Sequence, residues 1–436
     1  MKTLRIGAGA GFAGDRIDPA IRLARDANLD YLVFECLAER TIALAQLNKR
    51  QGRTPGFDPL LTERMEAVLE PCRRSGTRII SNMGAANPRA AAQQTIEVAR
   101  RLGLSGLRVA WVEGDDVLDS MKERGRLNSK GEELVSANAY LGVEELFGAL
   151  RARPDVVLTG RVADPSLFVA PMLFEFGWAL DDWDRLGKGT AVGHLLECAG
   201  QLTGGYFADP GYKDVQGMED LGFPFAVVGE SGEAVLTKVE GTGGALILPT
   251  CKEQILYEVQ DPARYLTPDV TADFTGVRFE EIAKDAVRVT GATGKERPES
   301  LRVSMGYYAG FIAEGQISYA GPGALPRAEL ARQILLKRLN WMTKGDLLID
   351  FIGVNAIHGK RLSARAPEPY EVRLRAAGRF SDEMKARVLM REVESLYVNG
   401  PAGGGGVTTT LRENIAMDAA LIPRSMVRAS VGLEVA

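Results

Sequence analysis

Residues 78–112 read RIISNMGAANPRAAAQQTIEVARRLGLSGLRVAWV, in which a short apolar run, a turn of small and polar residues, a helical pattern and a second apolar run follow one another. We predict a strand at 78–81, a helix at 88–102 and a strand at 107–112. A strand, a helix and a strand in this order are typical of two parallel strands joined by a crossover helix.

The same alternation extends over the first 180 residues, where the sequence predicts four or five such units. The further predicted strands are 4–6, 31–34 and 156–159, and the further predicted helices are 19–27, 40–49, 59–75 and 143–152. Ligands bind at the carboxyl ends of parallel strands. We therefore expect one crevice that gathers the polar residues following these strands, which are Asp15, Glu35, Asn82, Asn87, Glu113, Asp115, Asp116, Arg161 and Asp164.

From about residue 222 the sequence changes to shorter strands separated by glycines, which favours antiparallel pairing. A helix at 327–343 and a strand at 347–354 follow, and the segments 370–376, 381–396 and 426 onward complete the chain. The predicted fold class is α/β, with a mainly parallel sheet of βα repeats in the N-terminal part, an antiparallel-rich layer and a small C-terminal α+β appendage. The predicted domains are 1–345 and 346–436.

Composition excludes several classes of protein. The chain has 436 residues, of which 45% are hydrophobic, and its 53 basic and 57 acidic residues give a net charge of -4. Basic residues do not cluster with aromatic ones, so we expect no nucleic-acid partner. The four cysteines form no C-x-x-C pair, which argues against a zinc cage or a disulfide framework. The N-terminus lacks an apolar signal region and no 18-residue apolar stretch occurs, so we expect a soluble, cytoplasmic protein without a membrane partner.

One of only two histidines, His194, opens a predicted helical run, GTAVGHLLECAGQLTGG, at residues 189–205. His194, Glu197, Cys198 and Gln201 recur at offsets of three, four and seven, which places them on one helix face. Three interpretations are open: a structural hydrogen bond, a general acid or base that Glu197 orients, and a metal ligand. Cys198 beside His194 is a further candidate nucleophile.

Two glycine clusters are candidate ligand sites. Gly9, Gly11 and Gly14 match a dinucleotide motif, and Glu35 lies where the ribose acid is expected, but the charge of Asp15 opposes phosphate binding. The alternative is a turn that lets the backbone approach a ligand. The second cluster, NGPAGGGGVTTT at residues 399–410, predicts either a backbone-amide nest for an anion or a surface loop. A P-loop ending and a G-x-S-x-G elbow are both absent from the sequence.

Three carboxylates follow one predicted strand in Glu113-Gly114-Asp115-Asp116. They are candidates for binding Mg²⁺ or for a base of raised pKa. Arg161, after the next strand, is expected either to neutralise them or to bind a substrate carboxylate. The alternative is a capped helix start with solvated acids.

Several blocks together resemble the acyclic terpene utilisation (AtuA) family, over nearly the whole chain. They are RIGAGAGFAGD, LDYLVFECLAE, NMGAANPRA, VEGDD, TGRVADPSL, FGWALDDWDRLGKGTAVGHLLECAGQLTGGYFADPG, ILYEVQDPARYLTPDVTADFT, AEGQISYAGPGA and NGPAGGGGV. The resemblance implies a role in bacterial catabolism of citronellol and geraniol, in which branched acids are handled as coenzyme A thioesters. It supplies no set of catalytic residues.

The sequence therefore predicts a catabolic enzyme that acts on a branched carboxylic acid or its coenzyme A thioester by proton chemistry of the hydratase or lyase type. The alternatives are a noncatalytic ligand-binding or assembly subunit that supports an acyl-CoA enzyme, and a dinucleotide oxidoreductase. A homo-oligomer is expected, because the amphipathic helices and the antiparallel layer offer surfaces for self-association. The cofactor is not identified, and Mg²⁺ is a candidate.

The site prediction assigns three groups of residues. The predicted catalytic residues are His194, Glu197, Glu113, Asp115 and Arg161. The predicted substrate-binding residues are Gly11, Asp15, Glu35, Asn82, Asn87, Asp164, Gly204, Gly205, Gly403 and Gly404. The predicted metal ligands are Asp115 and Asp116.

Overall fold

The computed structural model describes residues 2–125, 131–342, 346–364 and 367–436. The chain packs as two compact units. The first comprises Met1–Arg126, Leu134–Gly306 and Met417–Ala436, and the second comprises Leu127–Glu133 and Tyr307–Ala416. The predicted domain boundary at 345 and the predicted helix end at 343 lie outside the described residues.

The strands alternate with helices at first and follow one another directly in the later part. In chain order they are β1 Thr3–Ala10, β2 Tyr31–Phe34, β3 Arg78–Ser81, β4 Arg108–Glu113, β5 Glu133–Ala139, β6 Val156–Thr159, β7 Pro224–Gly229, β8 Ala234–Lys238, β9 Tyr265–Leu266, β10 Thr271–Asp273, β11 Arg278–Ala283, β12 Ala286–Thr290, β13 Thr293–Lys295, β14 Ser300–Ala320, β15 Leu347–Ile352, β16 Glu371–Phe380, β17 Gly405–Pro423 and β18 Ser430–Val435.

The α-helices are concentrated in the first 200 residues. They are α1 Asp18–Asp26, α2 Glu39–Arg50, α3 Leu61–Ser75, α4 Pro88–Arg101, α5 Leu118–Glu123, α6 Val143–Leu150, α7 Ser166–Phe176, α8 Trp183–Glu197, α9 Leu248–Leu256, α10 Ala324–Arg338, α11 Gly359–Ser363, α12 Glu383–Glu394 and α13 Leu396–Asn399. Among the described residues, no helix combines the length and the apolar character that crossing a bilayer requires.

A ten-stranded sheet forms the first unit, in the order β11-β12-β8-β7-β1-β2-β3-β6-β4-β18. Its centre, β1-β2-β3-β6-β4, is parallel throughout. The strands β7, β8, β12 and β11 extend it on one side by antiparallel pairing, and β18 pairs antiparallel with β4 on the other. The α/β class is confirmed. Of the strands after residue 222, β7, β8, β11, β12 and β18 continue this sheet, whereas β9, β10 and β13 form a separate three-stranded antiparallel sheet.

Burial explains which elements the sequence predicts best. All four residues of β2 are buried, and three of four in β3 are buried. Helices cover both faces of a central parallel sheet, so its strands are short apolar runs with sharp ends. The predicted strands 31–34, 78–81 and 156–159 are accordingly confirmed without any change of bounds.

The first strand is longer than predicted, because glycine and alanine conceal its apolar pattern. It covers Thr3–Ala10 and not only 4–6. A Cβ placed on Gly9 would lie 2.7 Å from the ring of Phe34 on the neighbouring strand β2. The packing of the aromatic ring against the β1 backbone therefore favours glycine at this position.

The second unit contains the sheet β15-β16-β14-β17, with α10 and α12 packed against β16. Its core is separate from that of the first unit and includes Ile317, Leu374 and Leu389, each 0% exposed. The predicted α+β character of this part is present. The predicted helix at 327–343 is observed as Ala324–Arg338.

A buried arginine on α3 holds the loop that follows β1. Arg64 is 0% exposed, and its guanidinium donates to the carbonyl of Ala13 at 2.9 Å and of Asp15 at 3.2 Å. It also donates to Cys36 Sγ at 3.1 Å and lies 3.6 Å from the carboxylate of Asp58. The guanidinium of Arg64 thus donates hydrogen bonds to the segments after β1 and β2 and is the counterion of the buried Asp58.

Arg64→Met should lower the free energy of unfolding by about 3–5 kcal/mol, because it leaves the buried carboxylate of Asp58 without its counterion. The matched control is Arg74→Met on the same helix, where the arginine is 74% exposed and pairs with Glu70. This control should cost less than about 1 kcal/mol. Urea unfolding of both variants gives the comparison, and equal losses would contradict the role assigned to Arg64.

Candidate active site

A pocket of about 980 Å³ lies in the first unit at the carboxyl-end side of the parallel strands. Its polar lining comes from the segments after β2, β5 and β6, from the end of α8 and from the segment around β9. The lining includes Glu39, Tyr140, Arg161, Asp164, His194, Glu197, Glu258 and Tyr265. Four of the predicted site residues are therefore in one pocket: Arg161, Asp164, His194 and Glu197.

Arg161 is the buried cation of this pocket, two residues after the end of β6. Its side chain is 1% exposed, and its guanidinium donates to Asp164 Oδ1 and lies 4.4 Å from the ring centre of Tyr140. Its backbone N–H donates to Asp115 Oδ2 at 2.9 Å. Burial opposes the charge of the guanidinium, but Asp164, Tyr140 and Glu35 together outweigh this effect and raise the pKa of Arg161.

Glu35, directly after β2, is a buried carboxyl group beside Asp164. Asn82, which follows β3, donates its Nδ2 to Glu35 Oε1 at 2.9 Å and accepts from the Cys36 N–H at 2.7 Å. Burial and, to a smaller extent, the neighbouring charge of Asp164 raise the pKa of Glu35 to about 8. Burial also raises the pKa of Asp164, which is hydrogen-bonded to Glu35. The two carboxyl groups therefore hold a proton between them at neutral pH.

His194 is 1% exposed and is held in one orientation. Its Nδ1 and Glu197 Oε1 are joined by a hydrogen bond of 2.8 Å, and its ring lies against Tyr265 and Phe274 with ring centres 5.1 and 5.8 Å away. His194 Nε2 and Glu197 Oε2 are both buried, and neither has a hydrogen-bond partner among the described residues. Burial raises the pKa of Glu197 to about 7, and the charge of Asp164 contributes to the increase.

The helix that carries His194 differs from the prediction. It begins at Trp183 and ends at Glu197, so His194 lies in its last turn and does not open it. Cys198 follows the helix, and the backbone turns away at Ala199, which has φ 43°. Of the four residues on the predicted face, His194 and Glu197 lie on the helix and are hydrogen-bonded to each other, whereas Cys198 and Gln201 lie beyond its end.

Two backbones approach each other closely where this helix ends. A Cβ on Gly11, at the end of β1, would lie 2.5 Å from the carbonyl carbon of Cys198. The loop after β1 thus packs directly on the end of α8, and Gly11 serves this contact and does not line the pocket. Burial raises the pKa of the Cys198 thiol, which makes its thiolate unfavourable.

The acids after β4 occupy three different environments. Asp115 is 4% exposed and accepts from the Asn138 Nδ2 at 2.8 Å as well as from the Arg161 backbone. Asp116 is half-exposed and lies 3.4 Å from Arg50, and Glu113 ends β4 opposite Ser430 of β18. No group of three or more metal-binding side chains occurs within the described ranges. Mg²⁺ binding by Asp115 and Asp116 stays a prediction. The contact that the structure does show for Asp115 is the hydrogen bond that positions the backbone of Arg161.

Other predicted substrate-binding residues stabilise turns. Asp15 accepts from the backbone N–H groups of Gly11 and Arg16, each at 2.9 Å. Asn87 caps the N-terminus of α4 by accepting from the Ala90 N–H at 3.3 Å. Each side chain shapes a loop beside the strand ends without being part of the pocket lining.

The remaining predicted glycines also have structural surroundings. Gly204 has φ +118° and packs on Val215, and a Cβ on Gly205 would lie 2.9 Å from the Gly200 carbonyl. Gly403 and Gly404 belong to the second unit, directly before β17. The predicted substrate-binding role of these glycines stays a prediction.

Sequence reasoning did not select Tyr140, Glu39, Glu258 or Tyr265, all of which line the pocket. Tyr140 donates to Glu39 Oε1 at 2.7 Å, and Tyr265 contacts His194 through its ring. One signal was present: the block DPARYLTPDV supplies five consecutive lining residues, from Arg264 to Pro268. Strand-end reasoning missed this block because it lies outside the parallel βα repeats.

Residues 4–433 match the family model described as "Acyclic terpene utilisation family protein AtuA". The chain belongs to this family. Comparison with curated proteins and with solved structures found no match. The family name implies a role in acyclic terpene utilisation.

Glu35→Gln should change how stability depends on pH. In the wild type the unfolded chain ionises Glu35 above its usual pKa of 4.5, whereas the folded state keeps the proton up to a pKa of about 8. The folded state therefore loses stability as the pH rises through this window, and the variant does not. The free energy of unfolding of Glu35→Gln should gain on the wild type by on the order of 1 kcal/mol per pH unit.

Urea unfolding at pH 5, 6, 7 and 8 measures this difference. The control is Glu70→Gln, which removes a carboxylate that is 62% exposed on α3, and its curve should run parallel to that of the wild type. A curve for Glu35→Gln that is also parallel to the wild type would show that Glu35 ionises freely in the folded protein.

Proposed function

We propose that this protein is an enzyme of acyclic terpene catabolism that transfers protons on a branched carboxylic acid or its coenzyme A thioester, in a hydration or dehydration reaction. The observation that carries this proposal is that one pocket is lined by an oriented imidazole, a buried guanidinium and Asp164, whose carboxyl group pairs with the buried Glu35 behind it. These are the groups that a dehydration requires: a base, an acid and a cation for the acyl group.

His194 is proposed as the base. When Glu197 is ionised, the Nδ1–H of His194 donates to it, and Nε2 is left as the basic nitrogen. The contacts with Tyr265 and Phe274 restrict rotation of the imidazole. Burial raises the pKa of Glu197 to about 7, so the ionised form that accepts from the imidazole is populated at neutral pH.

The carboxyl pair of Glu35 and Asp164 is proposed as the acid. Asp164 lines the pocket, and Glu35 lies behind it and is held by Asn82. The pair retains a proton at neutral pH because burial disfavours two adjacent charges. Asp164 therefore delivers the proton, and Glu35 is a positioning residue that keeps the pair protonated.

Arg161 is proposed to bind the carboxylate or the thioester carbonyl. Its Nε is buried and has no partner among the described residues. A guanidinium near the acyl oxygen stabilises the negative charge that develops there when the α-proton leaves. Asp115 fixes the backbone of Arg161 by accepting from its N–H, and the ring of Tyr140 packs against its guanidinium.

In the dehydration direction, His194 Nε2 takes the proton from the α-carbon and a double bond forms between the α- and β-carbons. The bond from the β-carbon to its hydroxyl breaks, and the carboxyl pair gives its proton to the leaving hydroxyl, which departs as water. Transfer of the proton from His194 back to the carboxyl pair through solvent restores the enzyme. The hydration direction reverses each step.

His194→Gln should lower the turnover number by about 10²–10⁴-fold, which is the usual contribution of a general base. The test measures loss of enoyl absorbance with a 3-methyl-branched 2-enoyl coenzyme A thioester and with the free acid. Deuterium uptake from D₂O at the α-carbon provides a second readout.

The matched control is His358→Gln, which changes the only other histidine, an exposed residue in the second unit. The control should retain wild-type turnover. Near-normal turnover in His194→Gln would remove His194 from the reaction. Binding of the thioester by the wild type without turnover or deuterium uptake would instead support the noncatalytic subunit.

A further inference from the structure

The pocket has an apolar region in addition to its acid–base groups. Leu266, Leu301, Met417 and Leu421 belong to its lining. Leu266 is 52% exposed and Leu421 is 66% exposed. A single exposed leucine needs no explanation, but four apolar side chains in the lining of one pocket offer a surface for an apolar ligand.

Two of these side chains come from the C-terminal half of β17. Met417 and Leu421 are four residues apart on a strand, so they face the same side. Their separation along the strand is about 13 Å, comparable to a hydrocarbon chain of intermediate length. Ala420 and Ile422, which alternate with them, are 6% and 1% exposed and pack into the protein.

Arg424, directly after β17, links the end of this strand to two other segments of the pocket lining by hydrogen bonds. Its Nε donates to the carbonyl of Pro298 at 3.0 Å, and its Nη2 donates to the carbonyl of Pro268. Both prolines line the pocket. A half-buried guanidinium that satisfies two lining carbonyls fixes the position of the strand that carries Met417 and Leu421.

Asp269 connects the same region to the acid–base groups. It is 4% exposed, accepts from the Val143 N–H at 2.8 Å and accepts from the Ser166 hydroxyl. Ser166 lies two residues after Asp164. The segment that carries Leu266 is therefore joined by direct hydrogen bonds to the segment that delivers the proton.

We propose that Leu266, Leu301, Met417 and Leu421, which we call the acyl wall, determine specificity by binding the hydrocarbon chain of the substrate, and that Arg424 is the positioning residue for this wall. The identity of the ligand rests on the proposed function. The acyl wall concerns the part of the substrate that does not react, so binding alone tests it without any turnover.

The experiment uses the full-length protein and calorimetric titration with acetyl, 3-methylbutanoyl and a ten-carbon branched acyl coenzyme A thioester. Leu421→Ser should weaken binding of the ten-carbon thioester by about tenfold, and that of the acetyl thioester by less than about twofold. The control is Leu362→Ser, which changes a leucine that is 70% exposed in the second unit. Its affinities should equal those of the wild type.

Arg424→Lys keeps the charge but loses the fork that reaches two carbonyls. It should also weaken the ten-carbon thioester more than the acetyl thioester, with circular dichroism unchanged. A loss that is the same for all chain lengths in Leu421→Ser, or no loss at all, would overturn the acyl wall while leaving the proposed chemistry in place. Chain-length-dependent binding by a protein that never turns over a thioester would support the wall and overturn the proposed chemistry.

Discussion

The buried charge of Arg161 constrains most of the first unit near the strand ends. A guanidinium at 1% exposure is tolerated only if donors, acceptors and counterions surround it. Asp115 fixes its backbone, Tyr140 covers its face and Asp164 neutralises it. These partners come from three separate segments, so satisfying one cation draws the ends of β4, β5 and β6 to the same place.

The same neutralisation sets the acid–base character of the pocket. Arg161 offsets one negative charge, but the carboxyl group of Asp164, which is 36% exposed, lies within electrostatic reach of the buried carboxyl groups of Glu35 and Glu197. Burial with incomplete neutralisation raises the pKa values of Glu35 and Glu197 into the range from about 7 to about 8. This arrangement lowers the stability of the folded state as the pH rises from about 4.5 to about 8, because the unfolded chain ionises these groups first.

Segments that burial makes apolar along their whole length are predicted well from the sequence, and segments in which packing requires glycine are predicted poorly. Short buried strands such as Tyr31–Phe34 were predicted with correct bounds, because a strand covered on both faces must be apolar along its whole length. Thr3–Ala10 was predicted too short, because Gly7 packs against Leu29 and Gly9 against the ring of Phe34, and glycines give no apolar pattern. The helix before Cys198 was misplaced, since its glycines at 187, 189 and 193 are required by neighbouring elements and weaken the helical signal.

Sequence by itself determined the parallel βα core, the convergence of strand-end polar residues and the pairing of His194 with Glu197, because these follow from local periodicity and from offsets of three on a helix. Tertiary structure determined which of the converging residues face the pocket. Asp15 and Asn87 turn to backbone N–H groups, whereas Arg161 and Asp164 line the cavity. It also brought in Tyr265 and Leu421 from outside the repeats. Long-range packing and the satisfaction of buried polar groups make these choices, and neither is encoded in the spacing of residues along the chain.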